Sequence, residues 1–346
     1  MNARLHPLRP TLERLVAGQS LDEAEAGALL VALTDESLPP AVAGALLAAL
    51  RTKGVTAAEL RGFARGMRSL ARRPELPDVG PTIDVVGTGG DASHTFNLST
   101  GGALLAVAAG ARVTKHGNRS VSSRSGSADL LEALGLAMPL AERDAAACLA
   151  ATGFTFLFAP HYHPAMKAIA PVRAALGIRT VFNLLGPLTN PAAPPFHVIG
   201  AYSREAARLM ADALAGMAIR RAFVIHGEPG WDEATPAGPF LVHDVVPGRV
   251  EDSVRSAADY GLPSCRPEDL KGGDAAYNAA ALEAVFAGRD RGPHRDALVM
   301  GAALALEVAG LAATPREAAL AAAAALDSGA AAALLAALRA LPRGPW

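Results

Sequence analysis

Residues 84–91 read Asp-Val-Val-Gly-Thr-Gly-Gly-Asp, and residues 95–100 read Thr-Phe-Asn-Leu-Ser-Thr. The first stretch completes a buried-strand pattern over Thr82–Val86 and then breaks into three glycines within four residues. The second leads into an apolar helical run from Gly101. A strand, a glycine-rich turn and a helix start, in that order, make an anion site. Glycines let backbone N–H groups approach an oxyanion, and the helix dipole favours negative charge. Ser99 and Thr100 fall at the start of the helix, where hydroxyls cap the first turn or meet a phosphate. A tight turn with an ordinary N-cap is the plainer reading of the same residues. Neither common nucleotide loop is present: GxxxxGK[ST] is absent, and the third glycine of GxGxxG is missing.

Working outward, further β-rich runs alternate with Ala/Leu-rich helical runs. The strand candidates after Thr82–Val86 are Arg112–Lys115, Phe154–Phe158, His197–Ala201 and Ala222–Ile225. This alternation predicts an α/β fold with a mainly parallel sheet covered by helices. Phe240–Val246 precedes a polar stretch and reads as an antiparallel addition. The last third returns to helix over Ala275–Ala287, His294–Val308 and Pro315–Leu341. Residues 1–72 read as helices. Two capping boxes, Ser20 with Glu23 and Thr56 with Glu59, mark starts, and the second proline of Pro39-Pro40 suits another. Residues 73–81, with three prolines and a glycine, form a boundary.

The composition bounds the function. The chain has 346 residues, 51% hydrophobic and 19% charged, with a formal net charge of −1. That supports a sizeable core and gives no basic excess for nucleic acid. Cys148 and Cys265 form neither a CxxC pair nor a metal-ligand spacing, so a reducing cytoplasm is expected. No apolar stretch has the length of a membrane span or a signal peptide.

Three further motifs carry chemistry. Lys115-His-Gly-Asn-Arg-Ser-Val-Ser-Ser-Arg-Ser-Gly-Ser127 joins three cations to five serines in one loop, a composition suited to a charged phosphate ligand. His161-Tyr-His163 suggests a metal site, but no third ligand completes it, so these histidines read as structural or pocket-lining. Arg173 reads either as a partner for a helix acid or as a bidentate carboxylate clamp. Adjacent acids such as Asp232-Glu233 are usually surface charge. Beside a phosphate loop they become candidates for Mg²⁺, which takes carboxylates together with substrate phosphates. No GxSxG elbow is present, which argues against a hydrolase with a serine nucleophile.

Together these residues resemble the anthranilate phosphoribosyltransferase family. The match is carried by DVVGTGGD (84–91), TFNLST (95–100), KHGNRSVSSRSGSADLLEALG (115–135), FAPHYHPAMKAIAPVRAALGIRTVFNLLGPLTNP (158–191), Asp232-Glu233 and GGDAAYNAA (272–280). The resemblance implies a nucleoside-phosphorylase-like phosphoribosyltransferase fold, a small helical domain plus a larger α/β domain with a mainly parallel central sheet. The helical domain would span 1–73, joined by a segment near 165–185, and the α/β domain 82–346. The implied reaction transfers the 5-phosphoribosyl group of phosphoribosyl pyrophosphate to the amine of anthranilate, with Mg²⁺, in a cytoplasmic homodimer that engages neither nucleic acid nor membrane.

The implied phosphoribosyl pyrophosphate site comprises Gly87, Gly90, Asp91, Thr95, Asn97, Leu98, Ser99, Thr100, Lys115, His116, Gly117, Asn118, Arg119, Ser120, Val121, Ser122, Ser123 and Ser127. The implied anthranilate contacts are Gly87, Asn118 and Arg173, with His116, Tyr162 and His163 lining the approach. The implied Mg²⁺ ligands are Ser99, Asp232 and Glu233, and no acid or base is assigned. The chain departs from the family pattern at Gly101-Gly102, where alanines are common, and at Trp231, Tyr277 and Gly301. The rivals are a pyrimidine nucleoside phosphorylase on a similar fold and a non-catalytic, nucleic-acid-binding relative. Asn118 and Arg173 speak against the first, and the charge against the second.

Overall fold

The protein is described from a computed structural model covering residues 7–91, 93–120, 124–136, 138–228 and 230–341. It divides into two compact units, one of residues 1–72 with 163–189, the other of residues 73–162 with 190–346.

The first unit is helical. Its helices are Arg9–Val16, Glu23–Leu33, Pro40–Lys53, Ala57–Leu70, Met166–Leu176 and the single turn Phe182–Leu185. Thr56 and Glu59 form the expected capping box. The second box is shifted from the expected place. Asp22 caps the helix, with Glu25 reaching back, while the Ser20 hydroxyl accepts from Lys53 Nζ at 3.2 Å. Asp22 lies two residues nearer the apolar run, and its carboxylate accepts the Glu25 N–H at the point where the helix begins. The unit's core joins its two chain segments. Gly44 lies against Val172 and Leu176, Phe63 meets Phe182 edge-on at 6.4 Å, and Arg68 Nε donates to the Leu188 carbonyl at 2.9 Å.

The second unit is built on a seven-stranded sheet in the order β3-β2-β1-β4-β5-β6-β7. The strands are β1 Ile83–Gly87, β2 Val113–Gly117, β3 Phe154–Phe158, β4 Phe196–Gly200, β5 Arg221–Gly227, β6 Phe240–Val246 and β7 Arg249–Arg255. The first five run parallel, and β6 and β7 are antiparallel. The sequence pattern does not announce β7. Its residues, RVEDSVR, are mostly exposed and carry charge on both faces, which is how an edge strand resists pairing with another chain. The expected helix Pro315–Leu341 is two helices, Pro315–Asp327 and Ala330–Arg339, bent by 63° where Gly329 adopts φ +79°. Together they are long and apolar enough to resemble a broken membrane span. No single helix among the described residues is.

The helix Leu98–Ala108 packs on Pro293–Val308 in the centre of the core. The unusual glycines meet here. A Cβ on Gly102 would lie 3.3 Å from the Gly301 carbonyl carbon, and one on Gly101 would lie 2.6 Å from Leu298 Cδ2. Their departures from the family pattern fit one another, since small residues on both helices permit the close crossing.

Candidate active site

In a parallel sheet, the carboxyl ends of the strands gather on one edge, and ligands bind there. Four adjacent strands of this sheet end in glycine, Gly117 on β2 and, central to the site, Gly87 on β1, Gly200 on β4 and Gly227 on β5. The segment Trp231–Glu233 folds back over these ends. A Cβ on Gly200 would lie 1.6 Å from the Asp232 carbonyl oxygen, and one on Gly227 would lie 2.1 Å from that of Glu233. Gly227 and Trp231 exchange two main-chain hydrogen bonds, each 2.9 Å. Trp231 itself is buried, 8% exposed, and anchors the segment in the hydrophobic core.

The acidic pair thereby meets the glycine-rich turn, more than 140 residues earlier in the chain. Asp232 Oδ2 accepts the Gly89 N–H at 2.5 Å and the Thr88 hydroxyl at 3.4 Å. Its own N–H donates to Asp91 Oδ2 at 3.1 Å. Glu233 Oε2 accepts the Thr95 hydroxyl at 2.7 Å, and the main chain of Ser99 at the start of Leu98–Ala108 favours its charged form. Gly89 and Gly90 both have positive φ, +68° and +71°, a backbone conformation that glycine adopts without strain.

The charges are poorly compensated. Burial and the neighbouring Asp91 push the Asp232 carboxyl up to about 7. Burial and Asp232 push Glu233 up to about 8. Lys115, the end of the expected strand Arg112–Lys115, lies in β2 and not in the loop whose motif it opens. It is 1% exposed and donates through Nζ to the Val85 carbonyl and to Ser99 Oγ at 3.4 Å. Burial lowers its ammonium to about 8, against the attraction of Asp84, Glu233 and Asp232. Asp84, also buried, accepts from the His116 N–H at 3.1 Å and from Asn190 Nδ2 at 2.8 Å.

His116 and Gly117 likewise close β2, and the loop proper begins at Asn118. Asp129, third in the helix Ser127–Ala133, ties the loop's two ends together. Its Oδ2 accepts the N–H of Ser120 at 3.0 Å and of Gly126 at 2.9 Å. Arg119 is turned onto this helix, pairing with Asp129 at 3.0 Å and with Glu132. Its guanidinium is thus spoken for by acids of the protein, unlike the free phosphate ligand expected from composition. Val121, Ser122 and Ser123 lie outside the described residues. Thr100 is buried with Leu98 in the first turn of Leu98–Ala108.

The remaining expected residues fall in different units. Tyr162 is fully buried in the α/β unit, and its hydroxyl has no hydrogen-bond partner among the described residues. His163, in the helical unit, is 4% exposed, and burial lowers it to about 4, so it is neutral near pH 7. Arg173 lies on Met166–Leu176 with its guanidinium 5.2 Å over the Phe182 ring. Burial lowers its pKa, and no carboxylate pairs with it among the described residues. Sequence reading missed Thr88, Asn278 and the strand-end glycines Gly200 and Gly227. Only Asn278 stood in a quoted motif outside the glycine-rich turn, and the glycines signal nothing until the chain is folded.

Residues 79–332 match the glycosyl transferase family a/b domain, and residues 9–71 match that family's helical bundle domain. The chain is 46% identical over 328 residues to an anthranilate phosphoribosyltransferase of Rubrobacter xylanophilus, covering 95% of each. Its fold superposes with a TM-score of 0.89 on the crystal structure of anthranilate phosphoribosyltransferase from Thermus thermophilus, at 42% identity, covering 95% of this chain and 99% of that one. The enzyme from Saccharomyces cerevisiae in complex with PRPP and Mg gives a TM-score of 0.84 at 27% identity, covering 95% and 97%.

Proposed function

The chain belongs to the anthranilate phosphoribosyltransferase family, and on that footing we propose that it works through positioning and electrostatics, with Mg²⁺ and without an acid–base pair. The reaction joins anthranilate to phosphoribosyl pyrophosphate, giving N-(5-phosphoribosyl)anthranilate and pyrophosphate in tryptophan biosynthesis. The observation that carries the mechanism is the meeting of Asp232 with the Gly87–Asp91 turn, and of Glu233 with Thr95 just beyond it, at the strand ends.

These residues fit Mg²⁺. Asp232 is buried and Glu233 half-buried, and burial together with Asp91 and, for Glu233, Asp232 raises their proton affinity, which marks a place short of positive charge. No set of three His, Cys, Asp or Glu side chains among the described residues forms a metal cage. Mg²⁺ does not require one, because it binds through one or two carboxylates plus substrate phosphates. Asp232, Glu233 and the Ser99 hydroxyl would hold it, and bound there it would neutralise charge on the departing pyrophosphate.

The protein's own residues do the rest. The turn Gly87–Asp91 and the helix start at Asn97–Thr100 receive the pyrophosphate, and the loop Asn118–Ser127 receives the phosphoribosyl part. Lys115 supplies fixed positive charge from beneath Ser99. As the ribose C1–oxygen bond breaks, the anthranilate amine gives its lone pair to C1, and the amine then loses a proton. That amine is neutral at pH 7, so it needs orientation more than a base. Asn118 orients it, and Arg173 holds the carboxylate. An unpaired, half-buried guanidinium is prepared for such a partner. We place the enzyme in the cytoplasm, where its two free cysteines stay reduced, and assemble it as a homodimer, with Val16 and Val31 as exposed apolar residues of the helical unit.

Anthranilate fluorescence should fall only when phosphoribosyl pyrophosphate and Mg²⁺ are both present, and a chelator should stop the decay. Decay that continues in chelator removes the metal from the mechanism. Arg173→Ala should raise the KM for anthranilate by roughly 10–100-fold, the worth of a charge-assisted pair, and leave that for phosphoribosyl pyrophosphate near its starting value. Unchanged anthranilate kinetics would take Arg173 out of the site.

A further inference from the structure

Asn278 stands in the first turns of the helix Ala275–Phe286 and is 1% exposed. Its Oδ1 accepts the Gly273 N–H at 2.8 Å, and its Nδ2 donates to Asn97 Oδ1 at 2.8 Å, with the Gly273 carbonyl a further 3.4 Å contact. Asn97 passes the connection on. Its Nδ2 donates to the Ser125 carbonyl at 3.0 Å, and its Oδ1 also accepts the Ser125 hydroxyl at 3.0 Å. The ends of this chain are main-chain groups of fixed polarity: an N–H only donates, and a carbonyl only accepts. Each amide between them therefore has one orientation that satisfies both neighbours.

Asn97 immediately precedes the helix Leu98–Ala108, and Ser125 lies near the far end of the serine-rich loop. The Asn97 oxygen is already used twice. What Asn97 offers a substrate is thus its main chain and the loop it holds, whereas the sequence suggested direct contact.

We propose that Asn278 is a positioning residue for the donor-substrate site: through Asn97 it fixes the serine-rich loop at Ser125 against the start of Leu98–Ala108. The proposal rests on the reading that this loop receives phosphoribosyl pyrophosphate. Bound substrate phosphates need donors held in place beforehand, and a relay of buried amides supplies that order without touching the ligand.

Asn278→Asp is the sharpest test. The carboxylate keeps the size and still accepts from Gly273, but it cannot donate. Asn97 must then turn its amide to Asp at 278, which sets its oxygen against the Ser125 carbonyl. Amide exchange over residues 118–127 should speed up, and the KM for phosphoribosyl pyrophosphate should rise on the order of tenfold. The KM for anthranilate at saturating donor should move less than about twofold. In an Asn97→Ala background the added effect of Asn278→Asp should vanish. Unchanged exchange, or a full effect that persists without Asn97, would overturn the proposal. Faster exchange with an unchanged KM would support the relay and overturn the loop's assignment to phosphoribosyl pyrophosphate. Should Asn278→Asp fail to fold, Asn278→Ala carries the same readouts.

Discussion

Asp232→Asn should cost the transfer on the order of a thousandfold in kcat while making the metal-free protein more resistant to heat. The first half follows from the work asked of the carboxylate, since metal-assisted charge stabilisation is worth several kcal/mol and each ~1.4 kcal/mol is tenfold. The second half follows from where the charge sits. Asp91, Asp232 and Glu233 are neighbours, Asp232 buried and the other two half-buried, so removing one negative charge relieves repulsion. The pH dependence has a definite sign. A carboxyl whose folded pKa lies above its unfolded value binds protons more tightly in the native state. Its contribution to stability is complete at acid pH and is lost as the pH rises through about 7. The gap in thermal midpoint between variant and parent should therefore widen from pH 5 to pH 8 in chelator. Scanning calorimetry at those two pH values checks it. A variant that melts earlier than its parent at pH 8, or that keeps its transfer rate, would mean the acids are built for something other than a cation.

Gly200→Ala should lower the transfer rate by roughly a hundredfold or more, although alanine is the smallest possible addition. The new Cβ would stand 1.6 Å from the Asp232 carbonyl oxygen, where real contacts are almost never under 3.0 Å. That oxygen belongs to the main chain, and its neighbour Glu233 is likewise pressed onto Gly227, so the segment has nowhere to retreat except away from the strand ends. A misplacement of ~1 Å costs about 100-fold in a positioned site. Overpacking of this kind also costs ~1–3 kcal/mol of stability. Gly186→Ala is the control, since nothing lies within 4 Å of its added carbon. Kinetics at increasing Mg²⁺ read the result. A normal rate and normal metal dependence in Gly200→Ala would show that the acidic segment can move without loss.

Those two substitutions also show what the amino-acid sequence displays and what it hides. DVVGTGGD is conspicuous because strand, glycines and helix start are contiguous, and the five parallel strands are conspicuous because short β-rich runs alternate with Ala/Leu-rich helical ones, even though Asp84, Lys115 and His197 interrupt their apolar pattern. Gly200 is not conspicuous. A single glycine after Phe196–Ile199 has no meaning until Asp232 lies on top of it. β7 was hidden because an edge strand is selected for charge, which cancels the usual pattern. Lys115 was legible both as a strand end and as the first residue of the loop motif, and only the fold shows its ammonium buried and attracted by Asp84. The break at Gly329 is written in one residue within an alanine-rich run whose composition argues for continuity on both sides. Asn278 shows the same limit: its motif was visible, but the polarity relay needs Gly273, Asn97 and Ser125 in three places at once.

The helical unit is made of two chain segments separated by about 90 residues. During translation, the four N-terminal helices leave the ribosome with the groove that Val172, Leu176 and Phe182 will fill still open. At ~5–20 residues per second, the missing pieces follow about 5–20 s later. In that interval the nascent chain carries an unfinished apolar surface, and three strands of the other unit, β1 to β3, are synthesised before it is covered.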